Sequence, residues 1–141
     1  MNERKTEENW RPVKAGGFMD LLGPLLRSTQ PEDSDTYGLR TNERHGYHIG
    51  IVHGGVITGL LDQVIAIAAW NAADRQPTVT VQMDTRFLGA ARIGDFLEIR
   101  ARIRHMTRSL MFVDAEITSR NSPVASASAV MKISTRTGTS A

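Results

Sequence analysis

The chain has 141 residues, the length of one domain with a real core, and its 40% hydrophobic and 23% charged residues are ordinary globular proportions. It has no cysteine, which excludes disulfides, zinc–thiolate sites and a cysteine nucleophile. A formal charge of +2 is too small to argue for nucleic acid as a partner.

Residues 1–14 are polar and mixed in charge, with no apolar run of the secretory kind. They read as a flexible or loosely docked arm before a domain at 15–135, and residues 136–141 read as a frayed end. Phe18 to Leu26 is apolar and predicts one or two helical turns, broken near Gly23 and Pro24. Residues 28–35 are turn-rich, and 36–52 hold one or two short strands.

The spacing predicts a helix over 53–71. Val56, Leu60, Val64 and Ile67 recur at helical intervals, and Ile57, Leu61 and Ala68 widen the apolar surface until most sides are buried. Its apolar part, Gly54 to Trp70, is shorter than the roughly 20 residues of a membrane span, so no span is expected and the location is taken as cytoplasmic. Gly54 and Gly55 open the helix, where backbone amides lack intrahelical acceptors. Asp62 is its lone charged side chain.

After Pro77 the period changes to two. Val79, Val81 and Met83 alternate with Thr80, Gln82 and Asp84, which makes the latter a solvated strand face unless Thr80 has a partner. A turn at 89–95 follows. Leu97, Ile99, Ala101 and Ile103 then face one way, and Glu98, Arg100, Arg102 and Arg104 the other. A hairpin at 107–109 leads to a strand with Val113, Ala115 and Ile117 inward, whose Asp114 and Glu116 suit cross-strand pairing with the arginines. A last strand runs from Val124 to about Ile133. One helix and four consecutive antiparallel strands imply an α+β fold, an antiparallel sheet wrapped around one long central helix. A helix this apolar needs cover beyond one sheet, which points to a second copy.

Gly55 and Asp62 lie seven residues apart on one helix face, roughly 10 Å along the axis, so one carbonyl cannot touch both in a single chain. Two antiparallel helices about a two-fold axis would bring each Gly55 near its partner's Asp62. Free amides at a helix start stabilise an oxyanion, and a facing carboxylate serves as base or nucleophile. Thr80 is a candidate to orient it.

The run Gly50-Ile-Val-His53-Gly54-Gly55 with Asp62 at its fixed offset resembles the G-x-x-H-G-G-x6-D motif of PaaI-type (phenylacetyl-CoA) thioesterases. Val79 to Met83 is similar to their following strand, where Ser or Thr assists the carboxylate; Gly94-Asp95 and Arg108 also fit. The resemblance covers about residues 36–135. It implies a hotdog fold and hydrolysis of an acyl- or aryl-CoA thioester, with acyl-carrier protein as another possible substrate. It also implies no metal or cofactor, and shared-site homodimers that pair into tetramers. Gly55 would polarise the carbonyl, Asp62 drive attack, and His53 support the loop; Gly54, Tyr47, His48 and Arg108 would contact substrate. Tyr47 stands where many relatives have Asn, a departure that leaves a non-catalytic acyl-CoA binding or sensing protein as the alternative. A hotdog dehydratase or hydratase fits less well, because its carboxylate is usually paired with a catalytic His. Trp70, Phe18 and Leu22 are candidates for an acyl pocket or for plain core.

Overall fold

In the computed structural model, which describes residues 8–134, the first elements are β1 (Trp10–Pro12), α1 (Met19–Leu22), β2 (Leu26–Ser28) and β3 (Thr36–Arg40). The long helix α2 (Gly54–Ala72) follows, and then β4 (Thr78–Phe87), β5 (Phe96–Met106), β6 (Leu110–Ser119) and β7 (Ser122–Ile133). All seven strands join one antiparallel sheet in the order β1-β2-β3-β5-β6-β7-β4. This is the expected hotdog arrangement, with α2 packed across β4, β5, β6 and β7.

The stripe Val56, Ile57, Leu60, Leu61, Val64, Ile65 and Ala69 is buried on that sheet. It meets Leu97 and Ile99 of β5, Met111 and Val113 of β6, and Met131 of β7, all fully buried. Each such aliphatic side chain removed from water contributes about 1.5–3 kcal/mol, so this seam fixes the helix against the sheet. By length and composition α2 is apolar enough to cross a membrane, but that stripe is the core of the domain. The opposite face is less covered than the sequence suggested. His53, Gly55, Asp62 and Trp70 are exposed in the single chain.

Two expectations about the first half of the sheet change. The last part of the 1–14 arm is docked: Trp10–Pro12 pairs with β2, and Val13 N–H donates to the Leu25 carbonyl at 2.8 Å. Residues 1–7 and 135–141 lie outside the described residues, so the frayed end at 136–141 does too. Leu26–Ser28, part of a segment read as helix and turn, is a strand between β1 and β3.

The alternation in β4 also misleads. Thr80 lies opposite Met131, but Gln82 opposite Val130, so Val81 is an extra residue that bulges the strand. The bulge switches the faces. Thr80 before it and Met83 after it both lie on the helix side, opposite buried Met131 and Ala129, whereas Val79 and Val81 are 53% and 58% exposed. β4 is also an edge strand, paired only with β7 among the described residues. The arginine face of β5 is as expected, with a different pairing. Arg104 bridges to Asp114 at 2.7 Å, but Arg100 bonds Glu98 on its own strand at 3.3 Å instead of Glu116 opposite.

One buried polar group joins α1 to the start of α2. His45 is 3% exposed; its Nδ1 accepts from the Asn42 N–H at 2.9 Å, which places the proton on Nε2, and Nε2–H donates to the Leu22 carbonyl at 2.6 Å. The His45 carbonyl accepts from the His53 N–H at 2.8 Å. His45→Leu leaves the Asn42 amide and the Leu22 carbonyl without the imidazole partner. It should cost about 1–3 kcal/mol, read as a lower urea midpoint with an unchanged slope. An unchanged midpoint would show that the imidazole does not secure this junction.

Candidate active site

The helix start determines what the site can do. The first amides of a helix have no intrahelical acceptor. In α2, Val56 N–H reaches the His53 carbonyl at 3.0 Å, and Gly55 N–H donates to His53 Nδ1 at 2.8 Å. His53 is thus the N-cap, with an extended backbone (φ −66°, ψ 139°), and its accepting Nδ1 places the ring proton on Nε2. Among the described residues the Gly54 N–H meets no acceptor. The Gly55 amide, expected to polarise a carbonyl, donates here to the cap ring, and the Gly54 amide is the one without an acceptor. Gly55 matters instead because a Cβ there would stand 3.1 Å from His53 Nδ1.

Tyr47 stacks on His53, ring centroids 4.4 Å apart and planes 29° apart. The turn that presents it closes through Gly50 N–H to the Tyr47 carbonyl at 3.0 Å, with Gly50 at φ 87°, a conformation that favours glycine. His48 lies exposed in the same turn. Tyr47 and His53 are therefore brought together, while Arg108 sits apart at the tip of the β5–β6 hairpin.

Asp62 is two turns into α2 on its exposed side, and its carboxylate accepts from Thr80 Oγ at 3.1 Å. The β4 bulge puts that hydroxyl on the helix side of the sheet. Thr80 thus orients one carboxylate oxygen. One turn before Asp62, Gly59 leaves room for α1: a Cβ there would be 3.1 Å from Leu22 and 3.5 Å from Phe18. Phe18 and Leu22 therefore cover the helix beside Asp62, Phe18 remaining 62% exposed, whereas Trp70 lies two turns beyond it. Neither Gly59 nor His45 stood out in the sequence, because a mid-helix glycine and a lone histidine carry no pattern. Among the described residues no three His, Asp or Glu side chains converge as a metal site would require.

The arrangement offers an unused amide at the positive end of a helix and a carboxylate held by a hydroxyl. Gly54 and Asp62 are eight residues apart, or about 12 Å along the axis.

Comparison with known proteins gives consistent matches. A family model for the thioesterase superfamily matches residues 49–126, which span the α2 start, Asp62 and Thr80. A candidate esterase of Pseudomonas aeruginosa is 34% identical over 128 residues, 89% of this chain and 96% of that protein. Human acyl-coenzyme A thioesterase 13 is 24% identical over 108 residues, 77% of each chain. The PaaI protein of the Escherichia coli phenylacetic acid degradation operon superimposes with a TM-score of 0.66 at 22% identity, covering 74% of this chain and 75% of that one. That last likeness is one of fold.

Gly55→Ala should push the His53 ring off its cap. The expected cost is about 0.5–2 kcal/mol of stability, with loss of the single Nε2–H tautomer in ¹⁵N spectra of the imidazole. A retained tautomer and unchanged stability would contradict the assignment of His53 as the cap.

Proposed function

The chain belongs to the thioesterase superfamily and is a thioester hydrolase, and on that premise we propose that it hydrolyses an acyl- or aryl-CoA thioester at sites shared between two copies of α2. The observation that carries this reading is the pair of groups on the uncovered side of α2: a Gly54 N–H without an acceptor, and an Asp62 carboxylate held by Thr80.

The chemistry follows from those two groups. The thioester carbonyl oxygen accepts from Gly54 N–H, whose hydrogen bond strengthens as negative charge grows on that oxygen. The positive end of the helix macrodipole acts in the same sense. Asp62 takes a proton from water as the water oxygen bonds to the carbonyl carbon. The tetrahedral oxyanion then collapses, the C–S bond breaks, and the departing thiolate takes the proton held by Asp62, which restores the carboxylate. Attack by the carboxylate itself would give an anhydride that water then opens. Thr80 fixes the orientation of the carboxylate in either route. Tyr47 is stacked on His53, so positioning of the water falls to Asp62 and Thr80.

A separation of about 12 Å within one chain prevents Gly54 and Asp62 from serving one carbonyl, and a two-fold related copy removes that obstacle. The open edge of β4 supports the same reading. It presents unpaired backbone with exposed Val79 and Val81, a combination that invites strand pairing.

Asp62→Asn should lower kcat for thiol release by about 10²–10⁴ while leaving the assembly intact. Thr80→Ala should cost roughly ten-fold. Gly54→Pro is a cleaner test of the amide. Proline suits the first position of a helix, the preceding His53 is already extended, and a Cβ at Gly54 meets Phe87 at an ordinary 3.5 Å. This variant should fold and lose about 10²–10³ in kcat. Full activity in either Asp62→Asn or Gly54→Pro would remove the mechanism.

A further inference from the structure

Beyond Asp62, the exposed side of α2 continues into a groove of about 690 Å³ between the helix and the first strands. Its floor is Ile67, Trp70 and Tyr37, and four cations rim it: Arg11 of β1, Lys14 after it, Arg27 of β2, and Arg75 after α2. Among the described residues no carboxylate lines it. The contrast with the groove on the outer face of the sheet is direct. There, Arg86, Arg100 and Arg102 are interspersed with Asp114, Glu116 and the acidic 32–35 turn, so the charges neutralise one another. The chain has a formal charge of only +2, yet four positive side chains share one concave surface with no acid among its described lining residues.

The aromatic floor is placed with equal care. Trp70 is 44% exposed, and the Arg75 guanidinium stands over its ring at 5.5 Å. Arg75 reaches that position through two successive non-glycine residues in the left-handed region, Asp74 at φ 58° and Arg75 at φ 66°, with Arg75 N–H bonded to the Trp70 carbonyl at 2.8 Å. Such a conformation costs free energy in residues with a side chain. On the opposite wall Arg27 is fixed by Nε–H to the Ser34 carbonyl at 2.9 Å and lies over Tyr37 at 5.9 Å.

We infer that this groove binds the 3′-phosphorylated adenine nucleotide of the substrate's CoA, with the base against Trp70 and the phosphates among Arg11, Lys14, Arg27 and Arg75. The inference rests on the thioesterase reading above for its ligand and deepens it. A flat aromatic surface ringed by cations recognises a flat base joined to several phosphates. The position also agrees. Gln63, next to Asp62, and Ala66, one turn on, line the near end, and Trp70 lies about 12 Å beyond Asp62 along the helix. A thioester at Asp62 can therefore run its pantetheine arm along α2 to the cations. This assigns the phosphates to the groove, in place of Arg108 at the hairpin tip.

The test compares one acyl group carried by CoA and by N-acetylcysteamine, which lacks the nucleotide. Lys14→Gln/Arg75→Gln and Trp70→Leu should each raise KM for the CoA ester about ten-fold, leave kcat unchanged, and leave the N-acetylcysteamine ester unaffected. The charge-matched control Arg102→Gln/Lys132→Gln, on the outer sheet face, should change neither. Adenosine 3′,5′-bisphosphate, titrated by calorimetry at low salt, should bind the wild type and the control alike, and the groove variants about ten-fold more weakly. Equal KM values for the two esters in the wild type would overturn the inference. So would parallel effects in groove and control variants, or undiminished bisphosphate binding by the groove variants. If no thioester is hydrolysed, the proposed function fails, and the bisphosphate titration still decides whether the groove takes the nucleotide.

Discussion

The site depends on how the first amides of α2 are shared out. A helix start has more N–H groups than acceptors, and here His53 satisfies one of them through its own ring, at Gly55. Among the described residues the Gly54 amide has no acceptor. The two glycines differ in role: Gly55 leaves space for the cap ring, and in the proposed mechanism Gly54 lets a thioester carbonyl come up to the backbone. His45, buried behind this junction, holds the His53 amide by its carbonyl and the end of α1 by its ring, so the cap is set by the core and not by the loop alone.

The carboxylate half of the site is set by the sheet. Asp62 lies on the exposed side of α2, away from the buried stripe, and its carboxylate accepts from the Thr80 hydroxyl. Thr80 reaches it because β4 carries one extra residue, and that bulge belongs to an edge strand whose outer rim is open. The same local irregularity thus aims the hydroxyl at the carboxylate and twists an edge suited to a second copy. An apolar helix, an exposed Asp62 and an open β4 edge all support the proposed pairing with a second copy.

Elements with one clear period were legible in the sequence. The helix expected at 53–71 is Gly54–Ala72, and the inward sets on β5 and β6 are those that the alternation names, because burial on one face imposes the pattern directly. β4 was misjudged because a bulge breaks parity without any residue to announce it, and because an edge strand in a single chain buries little on either face. β1 and β2 are three residues each, too short to show a period. Thr80 was a candidate partner for Asp62 through the resemblance to a strand whose Ser or Thr assists the carboxylate, and the two side chains do meet. Which of two adjacent glycine amides the histidine would take was beyond the sequence, since both lie within reach of the ring. The cationic groove was hidden for another reason: its arginines and lysine come from three separate segments that only the fold assembles.

The central claim is that one copy's Gly54 amide works with another copy's Asp62, and complementation between two dead variants tests it most directly. Asp62→Asn and Gly54→Pro chains are unfolded, mixed in equal amounts and refolded together. A shared site predicts recovery of about one quarter of wild-type thiol release, because half the dimers are mixed and each mixed dimer regains one of its two sites. No recovery, in a sample where mixed dimers are shown to have formed, would place both groups on the same chain and contradict the account.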